Sequence, residues 1–232
     1  MPLLPPRRIA HAQELLDADT ADPAELRESL QHVEQVNRFL GGESSLLRHL
    51  RPHLRHGARF LDVGTGNAAI PRRIAAEARR LGVTVEIIGI DTNPAMIAIA
   101  RASTPDTPAI SFQQADALAL PFEDRAFDVA CMTLTLHHLE GEAATQALRE
   151  MARVARVVLV SDLERCWPNY LGSRLLAETW WRNNRITRND GPLSVLRAFT
   201  ARELHAIADA AGLHDSRVHR HFFHRLVLET RG

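Results

Sequence analysis

Three carboxylates stand where apolar runs end. Asp62 closes Arg59–Val63 and is followed by Gly64-Thr65-Gly66-Asn67. Asp91 follows Val85–Ile90, and Asp116 follows a run that starts at Ile110. Glycines at 64 and 66 let the backbone turn tightly and approach a ligand with no side chain in the way. The helix behind them offers free N–H groups and partial positive charge to a carboxylate or phosphate. A carboxylate at the end of the second strand accepts from both hydroxyls of a ribose. Asp116 can accept from an exocyclic amine, with the Ala117 N–H offered to a ring nitrogen, and Asp62 can hold an ammonium. Together these groups suit a ligand with a polar amino-acid end, a ribose diol and an adenine.

A dinucleotide site is the rival, because Gly64-x-Gly66-x-x-Ala69 with Asp91 further on also satisfies that fingerprint. Asp62 argues against it, since a carboxylate two residues before the first glycine sits badly beside a pyrophosphate. An ordinary strand–helix turn is the bland alternative for the glycines, and a plain turn residue for Asp116.

These positions demand alternating strands and helices. Residues 59–63, 85–90, 110–114, 127–133 and 157–160 read as strands. Between them lie an apolar stripe at Ile70, Ile74, Ala78 and Leu81 stopped by Gly82, a helix capped by Asn93 with Pro94 first, and a helix over 141–154. The alternation predicts an α/β, Rossmann-like, doubly wound sheet. Runs at 215–221 and 223–230 add an antiparallel pair, for seven strands, mostly parallel with an antiparallel last strand. Residues 1–57 read as an N-terminal helical cap: Asp22 and Glu25 form a capping box, Gly41-Gly42 stops the helix, and Ser44 or Ser45 caps a second helix ending at Gly57. Residues 58–232 form the main domain, with 164–198 a helical insert or lid containing Trp167, Tyr170, Trp180 and Trp181. Thr200 and Glu203 form another capping box.

The 232 residues carry 28 basic and 28 acidic groups, which gives no electrostatic footprint for nucleic acid. Every basic residue other than histidine is arginine, so lysine Schiff bases and P-loop lysines are excluded. Cys131 and Cys166 form no C-x-x-C motif and fit a reduced, cytoplasmic protein. The proline-broken start argues against a signal peptide, and no apolar run approaches the ~18 residues of a membrane span.

LDVGTGNA (61–68), IIGIDTNPAMI (87–97), QADALALPF (114–122) and FDVACMTLTLHHL (127–139) resemble the class I S-adenosylmethionine-dependent methyltransferases, particularly the quinone-biosynthesis-like type 11 group. Two departures stand out. Ala68 replaces a third glycine and is tolerable there if φ is negative. Ala152-Arg153-Val154-Ala155-Arg156 replaces a Pro-Gly-Gly lead-in, which implies a shortened turn. The resemblance implies S-adenosylmethionine as cofactor. Asp62, Gly64, Thr65, Gly66 and Asn67 would surround its methionine part, and Asp91 its ribose. Thr92 and Met96 would lie beside the adenine, Asp116 and Ala117 along its edge, and Thr133 and Leu134 under the sulfonium. Arg38 would reach the methionine carboxylate, or else be a solvated helix-face arginine.

The implied reaction is in-line displacement at the methyl, in which the protein positions and desolvates the acceptor. A phenol with pKa near ~10 must lose its proton, and a histidine near ~6.5 can take it. His137 and His138, at the mouth of the sheet, are the candidate bases, although one can merely pack or hold the loop. No Asn/Asp-Pro-Pro-Tyr follows strand four, which disfavours nucleic-acid bases, and no metal site is expected. Trp180-Trp181-Arg182-Asn183-Asn184-Arg185 suits a planar oxygenated acceptor, or packs its tryptophans inward with arginines outward. The expected activity is small-molecule O- or C-methylation, with a phenolic or polyketide-like acceptor and no membrane partner; the oligomeric state is left open, a homodimer being one form it can take. The alternatives are a quinone-ring C-methyltransferase, an NAD(P)-binding oxidoreductase and a non-catalytic cofactor-binding domain.

Overall fold

The computed structural model describes residues 4–17, 22–105 and 107–230; Met1–Leu3, the beginning of the proline-broken start, lie outside them. Helix α1 (Pro23–Phe39) starts where the Asp22 carboxylate accepts from the Ala24 and Glu25 N–H groups at 2.8 and 3.0 Å. Glu25 does not close the expected box; its Oε1 accepts from the Arg185 N–H at 2.9 Å and ties α1 to a later helix. Gly41, at φ 75°, turns the chain straight into α2 (Gly42–Leu50). That turn leaves no separate cap for Ser44 or Ser45, whose hydroxyls donate to the Gly41 carbonyl. The helix ends at Leu50, ahead of Pro52, and a 3-10 turn follows at Arg51–His53.

The alternating core then runs β1 (Ala58–Val63), α3 (Ala69–Arg80), β2 (Val85–Asp91), α4 (Pro94–Ser103), β3 (Ile110–Gln114), β4 (Phe127–Thr133), α5 (Gly141–Val154) and β5 (Ala155–Leu163). Helix α5 passes into β5 with no intervening residue, which is the shortened turn expected from the missing Pro-Gly-Gly. The insert forms α6 (Trp167–Glu178) and α7 (Arg185–Arg197). Helix α8 (Ala201–Ala210), with both halves of the Thr200–Glu203 box made, precedes the hairpin β6 (Arg217–His221) and β7 (Arg225–Glu229). Strand β7 begins later than the apolar pattern suggests because Phe223 and His224 both take φ 55°, a turn conformation.

The seven strands lie in the order β3-β2-β1-β4-β5-β7-β6. All pairs from β3 to β5 are parallel, and β7 runs antiparallel to β5 and β6. Strand alternation divides the core in two. Phe60, Ile87 and Leu159 pack with Leu46, Leu50 and Ile74 of α2 and α3. Leu61, Val158 and Leu228 pack with Leu148, Met151 and Leu204 of α5 and α8 on the other face. Helix α2 thus shares the sheet's own core, whereas α1 packs on α7.

Candidate active site

The strand order reverses at β1, whose neighbours are β2 and β4. In open α/β sheets this switch point opens the crevice where ligands bind. A cavity of about 920 Å³ occupies it, roofed by α1, α6 and α7. It is lined by Asp62, Gly64, Thr65, Gly66 and Asn67 after β1 and by Asp91, Thr92 and Met96 after β2. Asp116 and Ala117 line it after β3, and Thr133, Leu134, His137 and His138 after β4. Arg38 is the exception: it is exposed on α1 and does not line the cavity, because the neighbouring Asn37 holds the inward position.

The parallel register opposes Asp62 to Cys131, and the thiol donates to Asp62 Oδ1 at 3.4 Å. Burial pushes the Asp62 carboxyl up to about 7. Gly64 takes φ 72°, and a Cβ there would overlap the Thr135 side chain. Gly66 takes φ 51°, and a Cβ there would project into open space. Asp91 is aimed by its own turn: Oδ2 accepts from the Gly66 N–H at 3.1 Å and Oδ1 from the Asn93 N–H at 3.0 Å. Asp116 accepts from the Leu118 N–H at 2.9 Å. Asn67 and Arg72 both bond Glu34 of α1 at 2.8 and 2.9 Å, holding α1 against the glycine turn.

Ala68 departs from the expected negative φ. It stands at φ 61°, fully buried, as the residue before α3. The turn that opens α3 imposes this conformation whether or not the residue is glycine.

Beyond β4 lies a second charged cluster. The Asp162 carboxylate on β5 accepts from His137 Nδ1 at 2.7 Å and from the His137 N–H at 3.1 Å. Burial raises the Asp162 carboxyl, but His137 and the Leu163 N–H together offset it and the net shift is downward. A carboxylate only accepts, so Nδ1 carries a proton directed at Asp162. Glu14, 4% exposed, lies 3.6 Å from His137 Nε2 and 3.7 Å from His138 Nε2. Arg197 donates to the His138 carbonyl at 2.8 Å and fixes that turn from α7.

Glu14, Asn37, Arg197 and Arg225 were not singled out by the sequence. Glu14 and Arg225 lie 123 and 88 residues from His137 (137 − 14 and 225 − 137). No local motif marks them; only their burial does. The Trp180–Arg185 segment splits: Trp181 is buried on the cavity, while Trp180, Arg182 and Arg185 face outward. Among the described residues no helix is long and apolar enough to cross a membrane.

The strand order and this crevice are those of an open, doubly wound α/β sheet with its ligand site at the switch point. Residues 61–157 match the family model for a methyltransferase domain. The ubiquinone/menaquinone biosynthesis C-methyltransferase of Idiomarina loihiensis is 32% identical over 106 residues, covering 44% of this chain and 40% of that protein. The 2-phytyl-1,4-naphtoquinone methyltransferase of Thermosynechococcus vestitus is 36% identical over 101 residues, covering 44% and 43%. The matched stretch is thus under half the length of these curated relatives. A crystal structure of an S-adenosylmethionine-dependent methyltransferase from Aquifex aeolicus superposes with a TM-score of 0.66 at 18% identity, over 91% of this chain and 98% of that one. Residues 61–157 thus resemble a methyltransferase domain, and S-adenosylmethionine is the cofactor that this resemblance implies.

The residues present fit that cofactor. Gly66 leaves the cradle open, and the buried Asp62 carboxyl gains most by meeting a cation. Thr133 Oγ1 is buried at the end of β4 with no partner among the described residues.

Proposed function

We propose that this chain methylates a small phenolic or polyketide-like acceptor at an oxygen or ring carbon. One observation supports it above the rest: His137, bonded from behind by Asp162, lines the same cavity as Asp62, Asp91 and Asp116. Asp62 and the Gly64–Asn67 turn would hold the methionine part, Asp91 the ribose, Thr92 and Met96 the adenine face, and Asp116 with Ala117 its edge. Thr133 and Leu134 would flank the reacting centre. When bound, S-adenosylmethionine supplies an electrophilic sulfonium methyl.

The protein's share is to position the acceptor, exclude water and take a proton. Asp162 orients His137 and stabilises the imidazolium formed when Nε2 accepts the phenol proton. Leu16, Leu30, Val33, Leu176 and Trp181 line the cavity and favour a flat apolar body. His138, beside His137 with ring centroids 4.4 Å apart, would help place the hydroxyl.

Removing a phenol proton raises electron density on the ring carbons as well as on oxygen. The same base therefore serves the second reading, quinol-ring C-methylation, which similarity to the Idiomarina C-methyltransferase favours. Both are tested with methyl-labelled cofactor and a panel of phenols and hydroquinones, with product NMR locating the methyl. His137→Ala is expected to cut kcat by about 10²–10⁴ with cofactor affinity kept. Unchanged kcat removes His137 as the base. Wild-type protein that binds S-adenosylhomocysteine but methylates no member of the panel refutes the acceptor class.

A further inference from the structure

Arg225 opens β7 and is 2% exposed, yet its Nε and Nη1 donate to nothing among the described residues. Burial of an uncompensated guanidinium is unfavourable, and such charges are normally paired. The carboxylate whose charge it feels, Asp162, is already engaged. Its Oδ1 accepts from His137 Nδ1 and the Leu163 N–H, and its Oδ2 from the His137 N–H. Burial pushes the guanidinium down to about 10, so it stays charged at neutral pH. Beside it lies Asn37 of α1, 7% exposed, whose Oδ1 is also buried without a partner. The two flank one point: a Cβ on Gly42 would overlap Asn37 Oδ1 and come within 3.2 Å of Arg225 Nε. Both side chains line the cavity.

We infer that Arg225 and Asn37 form a receptor for a ligand carboxylate, an assignment that rests on the methyltransferase reading of the cavity. The guanidinium has two edges that match the two oxygens of a carboxylate, Nε with Nη2 and Nη1 with Nη2. The Asn37 amide, whose ends exchange on a half-turn, supplies a further N–H. A phosphate dianion fits less well, because Glu14, Asp62 and Asp91 also line this cavity and one arginine does not offset a second charge. The carboxylate belongs either to the methionine part of the cofactor or to the acceptor. The receptor is also the inward-facing counterpart of the exposed Arg38.

Calorimetry on wild type and Arg225→Met separates the two sources. S-adenosylhomocysteine carries the carboxylate and 5′-methylthioadenosine lacks it. 4-Hydroxybenzoate and phenol make the same comparison for the acceptor, measured with and without S-adenosylhomocysteine present. Loss of a bidentate charged pair predicts about 10- to 100-fold weaker binding of one carboxylate ligand, with its carboxylate-free counterpart unchanged. A loss confined to S-adenosylhomocysteine assigns the cofactor, and a loss confined to 4-hydroxybenzoate assigns the acceptor. Equal losses within each pair, or none, overturn the receptor. Wild type that binds neither adenosine ligand sinks the methyltransferase reading instead; the receptor then stands only if 4-hydroxybenzoate alone binds and requires Arg225. Arg225→Lys, which keeps the charge but not the fork, gives an intermediate loss and serves if the methionine variant does not fold.

Discussion

Ala68 holds a left-handed conformation, φ 61° and ψ 28°, with its side chain fully buried. An L-residue there costs about 1–2 kcal/mol, whereas glycine adopts it freely and loses about 0.5–1 kcal/mol to the unfolded state. Ala68→Gly should therefore raise stability by about 0.5–1 kcal/mol in urea unfolding; a fall in stability would show that the alanine methyl packs too well to lose. Asp62 gives a second residue-scale expectation. Its carboxyl ionises near 7 when folded, against an ordinary value of 3.8. Between those values the folded chain holds a proton that the unfolded chain has lost. Stability then declines as pH rises from about 4 to about 7 and levels off above. Asp62→Asn should flatten that decline. If Asp62 meets the cofactor ammonium, S-adenosylhomocysteine binding at pH 6 releases a proton. Calorimetry in buffers of different ionisation enthalpy reads that release, and Asp62→Asn should abolish it.

Helix α7 owes its place to side chains that bridge elements rather than to its own amphipathicity. The Asp190 carboxylate accepts from the Leu15 and Leu16 N–H groups at 2.9 and 2.8 Å, docking the segment that carries Glu14. Ser194 and Arg197 hold Glu14 from the same helix, at 3.0 and 3.9 Å. Asp190→Ala removes two charge-assisted bonds and should cost about 2–4 kcal/mol, with earlier proteolytic cleavage near residues 12–17. Unaltered cleavage there would mean that other contacts hold the segment. Gly191 is the next constraint, since its backbone lies under the Trp181 ring and a Cβ would stand 2.5 Å from Cζ3. Gly191→Ala must displace that ring, and overpacking of this kind costs about 1–3 kcal/mol despite alanine's better helix propensity. Tryptophan fluorescence would report the shifted ring, and an unmoved spectrum with unchanged stability would count against the contact.

For the molecule as a whole, what the sequence made legible was what local chemistry decides. Asp22, Asn93 and Thr200 cap helices through bonds within three residues, and apolar runs at 85–90 and 127–133 are strands whatever surrounds them. The β1–β3 carboxylates were legible for the same reason, because each sits at the end of its own strand. Glu25 leaving its box for Arg185, Glu14 reaching the histidines, and Arg225 turning inward are decided by elements distant in sequence. The outer wall of the cavity was therefore the illegible part. That wall also sets a global expectation. Glu34 of α1 bonds Asn67 and Arg72, and Asn184, which caps α7, donates to Glu28 and the Glu25 carbonyl of α1. The glycine turn, α1 and α7 are thus one connected body. A ligand held by the turn should stabilise all three. At 100 times its Kd, S-adenosylhomocysteine adds about 2.7 kcal/mol, which for a chain of this size raises Tm by roughly 5–10 °C. Amide exchange should slow in α1 and α7 as well as in the turn, whereas NAD⁺ at the same concentration should leave Tm unmoved. Protection confined to residues 61–69 would show that α1 and α7 open independently of the cofactor crevice. Equal stabilisation by NAD⁺ would return the glycine turn to the dinucleotide reading that Asp62 argues against.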